Sequence, residues 1–300
     1  MRERPLDEYV PGTLRYRDAE GQSVEFDIGI RTRGQFRRKP EHCKFAPLRL
    51  NFKKSQTRGT LFDKQDKIKL VTHCQSRSPR YEQMVVTEYL AYRIFNLLTD
   101  ISFDARLLRV TYEYTDENRQ IESYGILLEH QDQLEKRTDS SRMRVKAIEP
   151  EELQPEYSNL VSVFQYLIGN TDFSPIRASP DALCCHNQVL LRTDDETLYS
   201  VPYDFDMSGI VNAPYAAPHP RFKINSVRDR LYRGRCFNNA LLPATLEYLR
   251  AQQSQIETLI REEPALSKFA RNSSMNFINH FYERINDPRQ VQRRLVDACI

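Results

Sequence analysis

Apolar and polar residues alternate along three segments near the start of the chain. These are SVEFDIGIRTRG (23–34), PLRLNF (47–52) and KIKLVTHC (67–74). A period of two residues gives one apolar face, which is typical of a half-buried β-strand. ARLLRVTYEYT (105–115) and ESYGILLEH (122–130) flank the turn-forming DENR and have the same pattern. We therefore predict an N-terminal, mostly antiparallel sheet.

Two segments have the period of an amphipathic helix instead. They are YEQMVVTEYLAYRIFNLLTD (81–100) and EYSNLVSVFQYLIGN (156–170), and the second ends at Gly169, a residue suited to a helix C-cap. Glu88 lies on the apolar stripe of the first helix, where a glutamate either reaches water or meets a buried cation. From Asn238 onward the chain reads as helices.

The remaining segments complete an α+β protein of two lobes. Residues 131–152 are charged and read as a linker with a surface helix, and NQVLLRTDDETLYSVPYDFD (187–206) reads as a hairpin. Residues 210–236 are rich in proline and arginine, which indicates irregular structure. The predicted lobes are residues 1–135, a sheet with one helix, and residues 136–300, which are mainly helical.

Composition narrows the class of protein without naming a partner. Apolar residues make up 40% and charged residues 28% of the chain, and the net charge is +3, which is typical of a globular protein. The basic runs at 31–39 and 53–58 are more often solvated faces than nucleic-acid sites, so no nucleic-acid partner is predicted. No apolar run approaches the roughly 20 residues of a membrane span. MRERPLDEYV lacks the apolar centre of a signal peptide, which predicts a cytoplasmic protein.

The cysteines fit no CxxC metal pattern, and they do not have zinc-ligand spacing with His73 or His186. They are Cys43, Cys74, Cys184, Cys185, Cys236 and Cys299. Cys43 and Cys74 each lie beside a predicted strand, so a disulfide between them is an open alternative.

Two carboxylates in VPYDFDMSG (201–209) directly follow an apolar run. A buried carboxylate is costly unless it meets a cation, a metal ion or hydrogen-bond donors. Asp204 and Asp206 therefore either cap a turn, which is common after a strand, or bind a metal ion.

Several motifs together resemble the CotH family of atypical kinases, which is named for a spore-coat kinase and includes bacterial CotH-like proteins. The motifs are RTRGQFRRK, PLRLNFKK, KLVTHC, YEQMVVTEYLAYRIFN, YGILLEHQDQLEKR, GNTD, HNQVLL and VPYDFDMSG, within residues 11–210. The resemblance implies a two-lobed protein-kinase-like fold with ATP and Mg²⁺ in the cleft between the lobes. It also implies phosphorylation of a serine or threonine hydroxyl of a protein substrate, and an exported or envelope setting if the N-terminus is truncated.

The resemblance also implies roles for residues of the C-terminal lobe. Asp172 in GNTD matches the catalytic-loop aspartate that orients an acceptor hydroxyl, and Asn187 in HNQVLL matches the asparagine that helps to hold Mg²⁺. Asp204 matches the metal-binding aspartate, and Asp206 either assists it or caps the following turn. Fifteen residues separate Asp172 from Asn187, against about five in ordinary protein kinases, so an intervening loop is required.

Other implied roles concern the nucleotide. Lys69 matches the phosphate-contacting lysine, with Glu88 as its helix partner and Glu82 as the alternative. Arg33 lies in the segment of the phosphate-covering turn, and Arg49 is a second phosphate contact. No G-x-G-x-x-G loop is present. Two alternatives therefore stay open: a kinase-like scaffold without catalysis, and adenylyl transfer by the same fold.

Overall fold

The computed structural model describes residue 4 and residues 7–300. The chain forms an α+β structure of two compact units. The first comprises the described residues up to Val85 together with Ala105–His130, and the second comprises Val86–Asp104 together with Gln131–Ile300.

The first unit is built on a six-stranded antiparallel sheet with the strand order β1-β2-β3-β4-β6-β5. The strands are β1 (Val10–Arg17), β2 (Ser23–Thr32), β3 (Leu48–Phe52), β4 (Lys67–Val71), β5 (Ala105–Tyr114) and β6 (Arg119–Leu128). A short helix, α1 (Lys54–Thr57), follows β3. The five predicted strands are confirmed, and β1 is an additional strand at one edge.

Alternation along these strands places one apolar face against the core of the first unit. The core residues are Phe26, Ile28, Leu48, Leu50, Phe52, Phe62, Ile68, Leu70 and Leu127. A disulfide between Cys43 and Cys74 joins the segment after β2 to the end of β4, which confirms the one pairing that the sequence suggested. The amide of Phe45 donates to the carbonyl oxygen of Cys74 at 2.8 Å and reinforces this connection.

The helix α2 (Pro79–Leu98) begins in the first unit and continues into the second. The second unit contains a three-stranded antiparallel sheet of β7 (Ser140–Arg142), β8 (Gln188–Thr193) and β9 (Leu198–Pro202). Its further helices are α3 (Gln131–Arg137), α4 (Pro155–Ile168), α5 (Leu242–Ala251), α6 (Gln253–Glu262), α7 (Lys268–Asn286) and α8 (Pro288–Val291). Short 3₁₀ helices span Pro150–Glu152 and Cys236–Leu241, and a π-helical turn spans Gln292–Val296.

One expectation for this unit is wrong in part. The segment 131–152 was expected to contain only a linker and a surface helix, but β7 lies in it and pairs with β8. β7 has only three residues, all polar, and no apolar alternation marks so short an edge strand. The predicted hairpin is confirmed as β8 and β9.

The end of α4 fixes the start of the loop that carries Asp172. Gly169 has φ +66°, and the amides of Gly169 and Asn170 donate to the carbonyl oxygens of Tyr166 and Gln165 at 3.2 and 2.8 Å. This is a Schellman motif, in which glycine is favoured because it adopts the left-handed conformation without strain. The predicted C-cap is therefore confirmed.

Gly169→Ala is expected to destabilise the second unit. The left-handed conformation costs a side-chain-bearing residue about 1–2 kcal/mol, and a Cβ would lie 2.8 Å from Cζ of Phe277. Gly21→Ala is the control, because Gly21 has φ +78° and no atom within 4 Å of a Cβ, so it carries the backbone cost alone. Urea unfolding of both variants checks this, and an equal loss in the two would show that Phe277 moves aside.

No helix among residues 4 and 7–300 is both long enough and apolar enough to cross a membrane.

Candidate functional site

The side chains of His186 and Asn187, which lie on the far side of the loop that follows Asp172, hold Asp172 in place. Nδ2 of Asn187 donates to the carbonyl oxygen of Asp172 at 2.7 Å and to its Oδ2 at 3.0 Å. Nε2 of His186 lies 2.8 Å from Oδ1. The amide of Asp172 also donates to Oδ1 of Asn170 at 3.0 Å, which closes a local turn. The structure therefore brings Asp172 and Asn187 together across fifteen residues.

Backbone pairing explains how the long spacing is accommodated. The amide of Ser174 donates to the carbonyl oxygen of His186 at 2.9 Å, and the amide of His186 donates back to Ser174 at 3.2 Å. This backbone pair brings the two ends of the loop together directly after Asp172. Residues 175–185 therefore loop out, and the side chains of Asp172 and Asn187 stay in contact.

Asp204 directly follows Tyr203 at the end of the hairpin and has φ +65°, a conformation that aspartate and asparagine tolerate better than most residues. The amide of Tyr203 donates to the carbonyl oxygen of Asn187, and the amide of Asp204 donates to the hydroxyl of Tyr92 at 2.9 Å. Within the described residues, the half-buried carboxylate of Asp204 forms no hydrogen bond and no ion pair. It is therefore available to a ligand.

The other two residues of the DFD motif are buried. Phe205 is fully buried and packs against the rings of Tyr92 and Phe164, with centroid distances of 4.7 and 5.4 Å. Asp206 is buried, and its Oδ2 accepts a hydrogen bond from the hydroxyl of Tyr215 at 2.9 Å. Phe205 thus anchors the motif and leaves the two carboxylates in different surroundings.

His186 belongs to this site, although the sequence-based assignments did not include it. Its pKa is raised above 6.5, chiefly by the hydrogen bond to Asp172 and also by the charges of Asp172 and Asp204, while burial and the charge of Arg221 oppose the shift. The one feature of the sequence that could have indicated a role for His186 is its position directly before Asn187 in HNQVLL. His186 and Asn187 therefore hold opposite oxygens of one carboxylate.

The pH dependence of stability provides a test of the His186–Asp172 pair. Because the folded pKa is raised, the pair stabilises the fold below pH 6.5, and this contribution is lost as the pH rises through the folded value. His73 has a pKa lowered to about 4, chiefly by burial, so it affects stability only below its ordinary value.

We expect the free energy of unfolding to fall from about pH 6 to about pH 9 in the wild type, and less steeply in His186→Gln. The difference will be small because both side chains are partly exposed, 49% and 39%. Urea unfolding at both pH values checks this, and equal slopes would show that the pair contributes nothing.

The arginine-rich segment after the DFD motif is attached to the loop of Asp172. Nη1 of Arg233 donates to the carbonyl oxygens of Thr171 and Phe173 at 3.0 and 2.6 Å, on either side of Asp172 in the chain. Arg230 is buried and donates to the carbonyl oxygens of Tyr166 and Leu167 at the end of α4, where a cation is favoured. The segment is irregular as predicted, but its role in positioning the loop was missed.

In the first unit, three cations lie in register on adjacent strands. Arg31 of β2 is paired with Arg49 of β3, which is paired with Lys69 of β4. They alternate with the core residues Leu50 and Ile68 and therefore lie on the opposite face of the sheet. Directly opposed like charges are unfavourable unless negative charge lies nearby.

The charge of a fourth cation, Arg33, also affects the pKa of Arg49 in this row. Burial lowers the pKa of Arg49, and the charges of Arg31 and Arg33 lower it further, while Tyr9 opposes the shift. The Arg31 guanidinium lies 5.0 Å from the ring centroid of Tyr9. The charge of Arg33 thus acts on Arg49, and the resemblance assigned both residues to phosphate. Arg31 is a further cation beside Arg49 and had no assigned role.

Lys69 and Glu88 lie in different units, and both are buried, 8% and 2% exposed. Lys69 therefore does not face solvent, and the alternative of a Glu88 that reaches water is wrong. Their pairing stays a prediction. Glu82, the alternative partner, lies 3.3 Å from Nη1 of Arg109.

The six cysteine sulfurs form three disulfides and are not available to a metal ion. Besides Cys43–Cys74 these are Cys184–Cys185 and Cys236–Cys299, both missed from the sequence. Across the described ranges, no three side chains of histidine, cysteine, aspartate or glutamate gather into a metal-binding group. A Mg²⁺ site at Asp204 and Asn187 is a different set, because it includes an amide oxygen.

Neither a protein-family model nor a curated protein matches this chain.

Proposed function

We propose that the protein is an ATP- and Mg²⁺-dependent phosphotransferase with a two-lobed, CotH-like atypical kinase fold, which phosphorylates serine or threonine hydroxyls of a protein. The observation that carries the proposal is the double hydrogen bond from Asn187 to Asp172. It joins the two catalytic-loop residues that the family motif pairs, despite a spacing that differs from that of ordinary protein kinases.

We assign Asp172 as the residue that receives the acceptor proton. A carboxylate has about four lone-pair sites, so its contacts with His186 and Asn187 leave capacity for a hydroxyl. The acceptor oxygen forms a bond to the γ-phosphorus, the bond from that phosphorus to the β-γ bridging oxygen breaks, and ADP leaves. The hydroxyl proton passes to Asp172.

The donor set beside Asp172 suits Mg²⁺, which prefers oxygen ligands. Because Nδ2 of Asn187 donates to Asp172, its Oδ1 remains for a metal ion. The carboxylate of Asp204, which has no partner among the described residues, is the second oxygen donor. Asp206 would assist through a carboxylate oxygen. When bound, Mg²⁺ neutralises charge on the transferred phosphates.

The row of Arg31, Arg49 and Lys69 supports nucleotide binding by the first unit. A glycine-rich loop binds phosphates through backbone amides, and side-chain cations in register can supply the same attraction. The three disulfides further support the exported setting that the resemblance implies, because disulfides persist in oxidising compartments.

Isotope transfer tests the proposed function directly. The purified protein is incubated with Mg²⁺, a mixture of protein acceptors and ATP labelled at either the γ- or the α-phosphate, and its thermal stability is measured with and without the nucleotide. Label transfer from the γ-position supports the proposal, and transfer from the α-position replaces it with adenylyl transfer. Stabilisation by ATP without transfer indicates a binding scaffold. The absence of stabilisation at millimolar ATP would overturn the proposal that the protein is an ATP-dependent enzyme.

A further inference from the structure

Two guanidinium groups lie against one phenylalanine ring beside the loop of Asp172. Arg221 and Arg233 lie 4.6 and 4.9 Å from the ring centroid of Phe222. Arg233 is fixed by its hydrogen bonds to Thr171 and Phe173, and it also lies 4.5 Å from the ring of Phe173. Positive charge is thereby concentrated next to the proposed proton acceptor.

Arg235 adds a third charge to the same cluster. Burial lowers the pKa of Arg233 to about 10, and the charges of Arg221 and Arg235 contribute to this shift, while the charge of Asp172 opposes it. Arg221 and Arg235 therefore each repel Arg233, and a bound anion would relieve that repulsion.

No carboxylate of the described chain forms an ion pair with Arg221 or Arg235. The acidic residue of the same segment, Asp229, accepts from the amides of Asn225 and Ser226 at 3.0 Å and caps a turn. Asp172 is bound by His186 and Asn187. Arg221 is exposed and Arg235 half-buried, so both can be reached from solvent.

We propose that Arg221 and Arg235, which lie on either side of Arg233 in the chain, bind an acidic residue of the acceptor beside the hydroxyl that is phosphorylated. This inference rests on the proposed function and names its substrate class: a protein segment with a carboxylate or a phosphate group near the target serine. Both groups offer the anionic oxygens that guanidinium binds best, through short, charge-assisted hydrogen bonds.

Peptides of equal length with a single serine test the subsite. The flanking residues are aspartate, phosphothreonine, glutamine or lysine, and kcat and KM for γ-phosphoryl transfer are measured for each. We expect the aspartate or phosphothreonine peptide to exceed the glutamine peptide in kcat/KM by about tenfold, the value of one charge-assisted hydrogen bond. A larger effect of one anionic peptide identifies which group is preferred.

The double variant Arg221→Gln/Arg235→Gln is expected to lose this preference through KM, with a smaller effect on kcat. Arg294→Gln is the matched control, since Arg294 is exposed on the C-terminal turn and lies outside the arginine-rich segment 210–236. The preference should be retained in that variant. Equal kcat/KM for all peptides, a preference for lysine, or an unchanged preference in the double variant would overturn the subsite.

Direct binding separates this inference from the proposed function. Fluorescence anisotropy of the labelled aspartate and lysine peptides is measured with the wild type and both variants, without nucleotide. Tighter binding of the aspartate peptide that the double variant loses supports the subsite even if no phosphate is transferred. Phosphoryl transfer without such binding or preference supports the proposed phosphotransferase function and excludes the proposed subsite at Arg221 and Arg235.

Discussion

Replacing Asp204 by asparagine is expected to abolish most metal-dependent transfer while leaving the fold intact. The carboxylate has no hydrogen-bond or ion-pair partner among the described residues, so its loss leaves no donor unsatisfied. Asparagine also tolerates the left-handed backbone at φ +65°. Loss of a residue that only supports a metal ligand costs about 10- to 100-fold, so loss of the ligand itself should lower kcat by at least about 100-fold.

Asp206→Asn is the comparison variant, because it removes a carboxylate from the same motif at a buried position. Because Asp206 is buried and accepts from the hydroxyl of Tyr215, its neutralisation is expected to lower the melting temperature more than that of Asp204 does. Activity is measured as γ-phosphoryl transfer over a range of Mg²⁺ concentrations, and stability as thermal unfolding. Full activity in Asp204→Asn, at any Mg²⁺ concentration, would remove Asp204 from the site.

Much of the fold follows from local periodicity, and the exceptions have identifiable causes. The alternation of Phe26 and Ile28 in β2, and of Leu48 and Leu50 in β3, is enough to predict strands because these residues form one face of a core. β7 has no such face. Its residues Ser140–Arg142 form an edge strand through backbone pairing with β8, and backbone pairing leaves no mark in the sequence.

The candidate site was predictable one residue at a time but not as an arrangement. The resemblance of the GNTD and HNQVLL motifs gave Asp172 and Asn187, although their spacing differs from that of ordinary kinases. Their meeting depends on the backbone pair of Ser174 and His186. Arg233 contacts backbone carbonyl oxygens, which every residue has, so no sequence pattern could identify its partners.

The cationic row of Arg31, Arg49 and Lys69 shows the same limit in the first unit. Arg49 and Lys69 were assigned from motifs, but Arg31 joins them only through the register of β2 on β3. A shift by one residue would turn Arg31 to the other face of the sheet. Register depends on contacts along whole strands and is therefore outside the reach of a short motif.

Asp172→Asn is expected to lower kcat by about 10²- to 10⁴-fold, the usual contribution of a positioned acid or base. The amide is nearly isosteric, but it cannot accept the acceptor proton. Since Asp172 is not assigned to the metal ion or to phosphate, the stabilisation of the protein by Mg²⁺ and ATP should be retained. A loss of kcat with binding retained separates a catalytic role from a structural one.

Asp181→Asn is the matched control for this variant. Asp181 is exposed within the excursion between Asp172 and Asn187, and no hydrogen bond or ion pair of its carboxylate is found in the described part of the chain. The same change of charge there should leave kcat and KM unaltered. Retained kcat in Asp172→Asn would exclude Asp172 as the proton acceptor and would leave His186, the next titratable group at the site, as the residue to substitute.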